Sequence, residues 1–174
     1  MQVIKKIVIT GPESSGKTTL TQQLARYFQT QWVPEYARIY LEELDRPYLQ
    51  DDLLTIAIGQ VTLEDSQSQS VRQYLFCDTG LEVIRIWSLV KYKEVDPQIE
   101  YLLKNRSYDQ YLLCAPDLNW EPDPLRETPN EPERWQLFEY YQQELQRLGI
   151  PWSIVSGEGE ARLQSALRGI RTEE

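Results

Sequence analysis

The sequence predicts an α/β protein: a parallel five-stranded sheet with helices on both faces and a lid over one edge. Three observations predict it. Short apolar, β-branched runs alternate with stretches of helical periodicity, and parallel strands need such crossovers. The first run leads at once into Gly11-Pro-Glu-Ser-Ser-Gly-Lys-Thr18, the G-x-x-x-x-G-K-[ST] phosphate-binding pattern, with a helical pattern behind it. A long proline-rich stretch, from about residue 115 to 134, then interrupts the alternation.

The elements follow in order. Val3–Thr10 reads as a buried parallel strand. Lys17–Gln29 reads as a helix with Leu20, Leu24 and Phe28 on one face. Gln31-Trp-Val-Pro34 is a short strand stopped by proline. Tyr36–Leu44 is helical. Asp51–Ser70 is a long helix with Leu54, Ala57, Ile58 and Val61 on its apolar stripe. Leu75–Asp78 is the third strand, followed by helices over Gly80–Lys91 and Pro97–Lys104. Tyr111–Cys114 is the fourth strand. After the lid, Trp135, Phe138, Tyr141, Leu145 and Leu148 mark a helix from Glu133 to near Gly149. Trp152–Val155 is the fifth strand, and Arg162–Ile170 closes with a helix. One domain over 1–174 is expected, a length that supports a real core.

Composition narrows the function. With a formal net charge of −9, non-specific nucleic-acid binding and docking on an anionic membrane are disfavoured. No apolar run is long enough to span a bilayer, and the N-terminal residues lead straight into a strand, so a cytosolic protein is expected. Cys77 and Cys114 sit in apolar runs without C-x-x-C spacing and read as buried, reduced thiols. The chain has no histidine, so proton transfer must use a carboxylate, a lysine, a tyrosine or phosphate itself.

The phosphate loop carries the clearest chemistry. Backbone N–H groups of such a turn converge on phosphate oxygens, and the helix N-terminus behind it favours anions. Lys17 reaches the β- and γ-phosphates of a nucleoside triphosphate, and the Thr18 hydroxyl binds Mg²⁺. The expected nucleotide site is Gly11, Glu13, Ser14, Ser15, Gly16, Lys17, Thr18 and Thr19, with Arg126 from the lid. Glu13 stands at a position the pattern leaves free, and a solvated side chain is its default. Asp78, at the end of the third strand, suits a Mg²⁺-organising carboxylate or a helix cap. Glu35 and Arg38 follow the second strand, where α/β sheets bind ligands. They read either as a substrate carboxylate with a phosphoryl-binding cation, or as a surface ion pair. The lid contributes Asp117, Trp120, Asp123, Arg126 and Arg134 as charged or aromatic candidates. Tyr36, Tyr40, Trp87 and Tyr92 are core candidates first, with Trp87 on a stripe with Val83 and Val90.

Four motifs occur in one order: Gly11–Thr19, Pro34-Glu-Tyr-Ala-Arg38, Phe76-Cys-Asp-Thr79 and Trp120-Glu-Pro-Asp-Pro-Leu-Arg126. Together they resemble the ribosylnicotinamide kinase domain of the NadR family, from about Val3 to Val155. The resemblance implies a nucleoside-kinase-like P-loop fold, with ATP and Mg²⁺ as cofactors. It also implies transfer to the 5′-hydroxyl of nicotinamide riboside. By the same resemblance Gly16, Lys17 and Thr18 serve the nucleotide, and Asp78 is an active-site carboxylate. Glu35, Tyr36 and Arg38 lie on the substrate side, and Asp123 and Arg126 lie in the lid. Either Glu35 or Asp78 would act on the hydroxyl. Pro34 stands where family members can carry a ring-stacking aromatic, so stacking would fall to Trp87 or Tyr92. The adenylyltransferase domain of NadR proteins has no counterpart in this sequence. Another nucleoside or metabolite kinase, or an ATPase switch acting on a protein partner, would use the same loop.

Overall fold

The computed structural model describes residues 4–170. The chain runs β1 (Lys5–Thr10), α1 (Lys17–Tyr27), β2 (Trp32–Val33), α2 (Tyr36–Glu43), α3 (Gln50–Ser68) and β3 (Tyr74–Asp78). It continues through α4 (Leu81–Tyr92), α5 (Pro97–Lys104), β4 (Gln110–Cys114), α6 (Glu131–Leu148), β5 (Trp152–Val155) and α7 (Gly159–Gly169). All five expected strands are present within a residue or two of their predicted bounds; Val3, placed in the first strand, lies outside the described residues.

The strands form one parallel sheet in the order β2-β3-β1-β4-β5. In β1 the side chains alternate between two cores, as the pleat demands. Val8 joins Leu75, Cys77, Tyr111 and Leu113 beneath α3–α6. Ile7 and Ile9 join Phe76, Leu112 and Cys114 beneath α1 and α7. Cys77 and Cys114 are buried and free, as expected, and they belong to opposite cores. Among the described residues, no helix is long and apolar enough to cross a membrane.

The apolar stripe expected on α3 is only partly its buried face. Ile58 is 49% exposed, and the buried set is Asp52, Leu53, Ile56, Ala57, Gln60 and Glu64. The pattern misleads because three of those positions are polar and hold specific partners. Asp52 accepts from Leu49 N–H, Tyr40 Oη and both Nη atoms of Arg46. Glu64 accepts from Arg106 Nε at 2.9 Å, Tyr108 Oη at 2.9 Å and Gln60 Nε2 at 3.2 Å. Buried polar groups are tolerable when so satisfied.

Glu82, in the first turn of α4, is fully buried. Burial pushes its carboxyl up to about 7, against the pull of Thr10, while Glu64 pushes the same way. A raised folded-state value favours the native state below the ordinary carboxylate range, and that stability is lost as pH climbs through about 7. Glu82→Gln is therefore expected to stabilise the protein at pH 8 by on the order of 2 kcal/mol and to change little at pH 4.5. Urea unfolding at the two pH values measures this; a destabilisation at pH 8 would contradict it.

Candidate active site

The phosphate loop links β1 to α1 at the carboxyl edge of the sheet. Gly11 has φ +137°, and a Cβ there would lie 2.6 Å from the Cys114 carbonyl oxygen, so β4 and the loop approach closely only through glycine. Gly16, at φ 73°, caps α1 without any side-chain hydrogen bond, which leaves the first helical N–H groups to an anion. Ser15 Oγ donates to the Pro12 carbonyl at 2.7 Å. Lys17 Nζ donates to the same carbonyl at 2.8 Å, so it is half-buried against the loop rather than exposed.

The outer side of this loop is braced by Arg162 of α7, which is 4% exposed. Its Nη2 donates to the carbonyls of Ser15 (2.6 Å) and Ala115 (2.8 Å). Its Nη1 donates to Asp117 Oδ1 and the Gly157 carbonyl, both at 2.7 Å. One guanidinium thus joins the phosphate loop, the end of β4 and the turn after β5.

Asp78 ends β3, and Thr18 Oγ1 donates to its Oδ2 at 2.5 Å. The other oxygen, Oδ1, is buried without a hydrogen-bond partner. Burial raises the carboxyl above its ordinary value, opposed by the Thr18 hydrogen bond and by the charge of Lys17. A hydroxyl and a carboxylate with a spare lone pair fit Mg²⁺, which takes few protein oxygens and keeps waters and phosphates. Among the described residues no cluster of three or more His, Cys, Asp or Glu offers an all-protein cage instead.

The loop opens into a cleft of about 850 Å³. Glu35 and Arg38 both line it, Glu35 as the residue before α2 and Arg38 in that helix's first turn. Burial raises the Glu35 carboxyl above its ordinary value, while Lys17 pulls it down and Asp78 pushes it up. Opposite stands a wall of Val83, Ile86, Trp87 and Val90 from α4. The stripe that reads as core is thus also the lining of the cleft. Tyr36 and Tyr92 pack against the core, as the residue pattern suggests, and do not take the substrate-side place that the resemblance implies. The Tyr36 ring lies where any Cβ on Gly59 would strike it, at 2.0 Å, and its N–H bonds Gln60 Oε1, so it packs α2 on α3. Tyr92 is half-buried against the same core and does not line the cleft.

The lid crosses the open side. Arg126 lines the cleft, and its Nη1 contacts Ser14 Oγ at 3.4 Å and the Glu121 carbonyl. Asp123 is not among the lining residues; it pairs with the lining Arg38 through Nη2 at 3.0 Å. The Leu125 N–H first, and then that pairing, hold Asp123 below the ordinary carboxylate range against the effect of burial. Asp117 is spent on Arg162 and the Gly157 N–H. Trp120 is half-buried within the lid. Arg134 belongs to α6, is 4% exposed and does not line the cleft.

A family model described as an AAA domain matches residues 6–162. The chain belongs to that family. Among curated proteins it is similar to the trifunctional NAD biosynthesis/regulator proteins NadR of Salmonella typhimurium and Escherichia coli. Each is 26% identical over 137 residues, which is 75% of this chain and 33% of the relative. The chain therefore spans about a third of the length of those relatives. A solved NadR protein in complex with NR superposes with a TM-score of 0.79 at 22% identity, over 98% of this chain and 51% of that one. Thymidylate kinase from Ehrlichia chaffeensis superposes with a TM-score of 0.65 at 12% identity, over 94% of this chain and 97% of that one. The AAA domain of this chain is thus a P-loop fold of the nucleoside and nucleotide kinase kind, and the resemblance to NadR read from its motifs holds.

Sequence reasoning missed two parts of this AAA-family site. One is Arg46, Pro47 and Tyr48, which close the far end of the cleft; there Trp87 Nε1 donates to Tyr48 Oη at 2.9 Å. They lie between two helices with no pattern to mark them. The other is Arg162, whose only signal was an arginine at the start of an otherwise ordinary helix. Arg162→Ala is expected to destabilise the protein by on the order of 3 kcal/mol, since it strands three carbonyls and Asp117. Denaturant unfolding tests this, and a loss under about 0.5 kcal/mol, the scale of an ordinary surface change, would show the brace to be idle.

Proposed function

We propose that this chain is an ATP- and Mg²⁺-dependent kinase that phosphorylates the 5′-hydroxyl of nicotinamide riboside. One observation carries the reading beyond nucleotide binding. The phosphate loop opens onto a chamber that pairs a carboxylate and a cation, Glu35 and Arg38, with an apolar wall containing Trp87. A nucleotide switch needs no such acceptor chamber; a nucleoside kinase needs a polar end for ribose and a flat apolar side for a base. Similarity to NadR, and the solved NadR complex with NR, support nicotinamide riboside as the acceptor.

In this reading Lys17 and the α1 N-terminus hold the transferring phosphates. Thr18 and Asp78 would hold Mg²⁺, which when bound supplies charge neutralisation at the phosphates. Asp78 is tied to Thr18 and assigned to Mg²⁺, whereas Glu35 lines the cleft, accepts no hydrogen bond and is held above its ordinary value by burial. Glu35 is therefore the residue that orients the acceptor hydroxyl and takes its proton, and Arg38 and Arg126 neutralise charge on the transferring group. Trp87, beside Tyr48, offers the ring platform that Pro34 does not.

Two measurements test this. Given ATP, Mg²⁺ and a panel of nucleosides, mass detection should find mononucleotide from nicotinamide riboside in preference to purine nucleosides. Lys17→Ala should abolish that product while the protein stays folded. Product from another nucleoside alone would replace the acceptor. ATP hydrolysis with no phosphorylated acceptor would favour the switch. Glu35→Gln should lower kcat by on the order of 10²-fold or more and erase an acid limb that lies above the ordinary carboxylate range. An acid limb that persists in the variant would move the base role elsewhere.

A further inference from the structure

Glu13 stands inside the phosphate loop, beside the place where a polyphosphate would bind. A carboxylate there repels an anionic ligand, yet this one is held by the lid rather than left in solvent. Its two oxygens accept from consecutive backbone N–H groups of the lid: Glu127 N–H at 3.0 Å to each oxygen, and Thr128 N–H at 2.9 Å to Oε2. The next residue, Ser14, accepts through Oγ from the Glu121 N–H at 3.0 Å. Two adjacent loop residues thus grip the lid at 121 and at 127–128, and Arg126 stands between the grips with its guanidinium against Ser14 Oγ. Hydrogen bonds from N–H groups to an ionised acceptor are among the stronger ones in proteins.

We propose that Glu13 is a positioning residue that docks the lid onto the phosphate loop and thereby sets Arg126 against the phosphates of a bound nucleotide. The docking is independent of the acceptor; only the role of Arg126 rests on the phosphoryl-transfer reading above. A residue that merely contacts nucleotide would lose ATP affinity when removed. A docking carboxylate would instead lose lid protection and turnover, and ATP affinity would hold or improve because a like charge has gone.

The experiment is hydrogen exchange on the full chain, followed over peptides covering 121–128, with ATP affinity and kcat measured on the same proteins. Glu13→Ala is expected to speed lid exchange about tenfold. It should lower kcat about tenfold or more with no rise in KM for ATP. Glu13→Gln, which keeps an acceptor oxygen, should recover part of both. Should Glu13→Ala fail to fold, Thr128→Pro removes one donor from the lid side without touching the phosphate loop, and should also speed exchange over 121–127. Accelerated lid exchange in a protein that phosphorylates no nucleoside supports the docking and sinks the acceptor reading instead. Unchanged lid exchange in the folded variant, with or without a fall in ATP affinity, overturns the proposal.

Discussion

A parallel sheet sends every strand end to the same edge, and this site depends on β1 lying between β3 and β4 in that sheet. The register pairs Ile9 with Asp78 on one side and with Leu112 on the other. As a result the phosphate loop, the Asp78 carboxylate and the root of the lid emerge side by side. No side-chain interaction could assemble these three from distant parts of the sequence if the strand order were different. The strand order in turn rests on the two cores, since Ile7, Val8 and Ile9 of β1 must each find an apolar face above or below the sheet. Arg162 then fixes what the sheet only brings close. Two of its four hydrogen bonds satisfy carbonyls of the loop and of the β4 end, and the others go to Asp117 and to the Gly157 carbonyl in the turn after β5.

The cleft is close to charge-balanced although the chain as a whole is acidic. A protein with net charge −9 gathers Lys17, Arg38, Arg126 and Arg162 around one cleft, and balances them with Glu13, Glu35, Asp78 and Asp117. Each carboxylate has a different neighbour, and its chemistry follows. Asp78 is tied to Thr18 and Asp117 to Arg162, while Glu13 caps lid N–H groups. Glu35 alone of the four accepts no hydrogen bond from these partners and is raised chiefly by burial. A carboxyl poised in that way is suited to exchanging a proton, whereas one locked by a cation is suited to holding a shape.

The sheet, its order of elements and the phosphate loop were legible because each carries a strong periodic or fixed-spacing signal. Glu35 and Arg38 were legible from their place just past a strand end. What stayed hidden has a common physical cause: its meaning is set by contacts distant in sequence. Ile58 reads as core because periodicity cannot see that Gln60 and Glu64 have buried partners on other elements. Tyr36 reads as substrate-side by its neighbours, yet Gly59 opens a slot for its ring on α3. Val83 and Trp87 look like core because the lining of a cleft and the lining of a core share one apolar pattern.

The lid joins the two halves of the cleft. It meets the phosphate loop through Glu13 and Ser14, and the opposite side through the Asp123–Arg38 pair and through Glu127, which accepts from Tyr48 Oη at 3.1 Å. Exposed pairs of this kind contribute little singly. Their arrangement matters more than their sum, because one short segment is held from both sides at once. The segment 121–128 thus carries both the contacts to the phosphate loop and those to Arg38 and Tyr48.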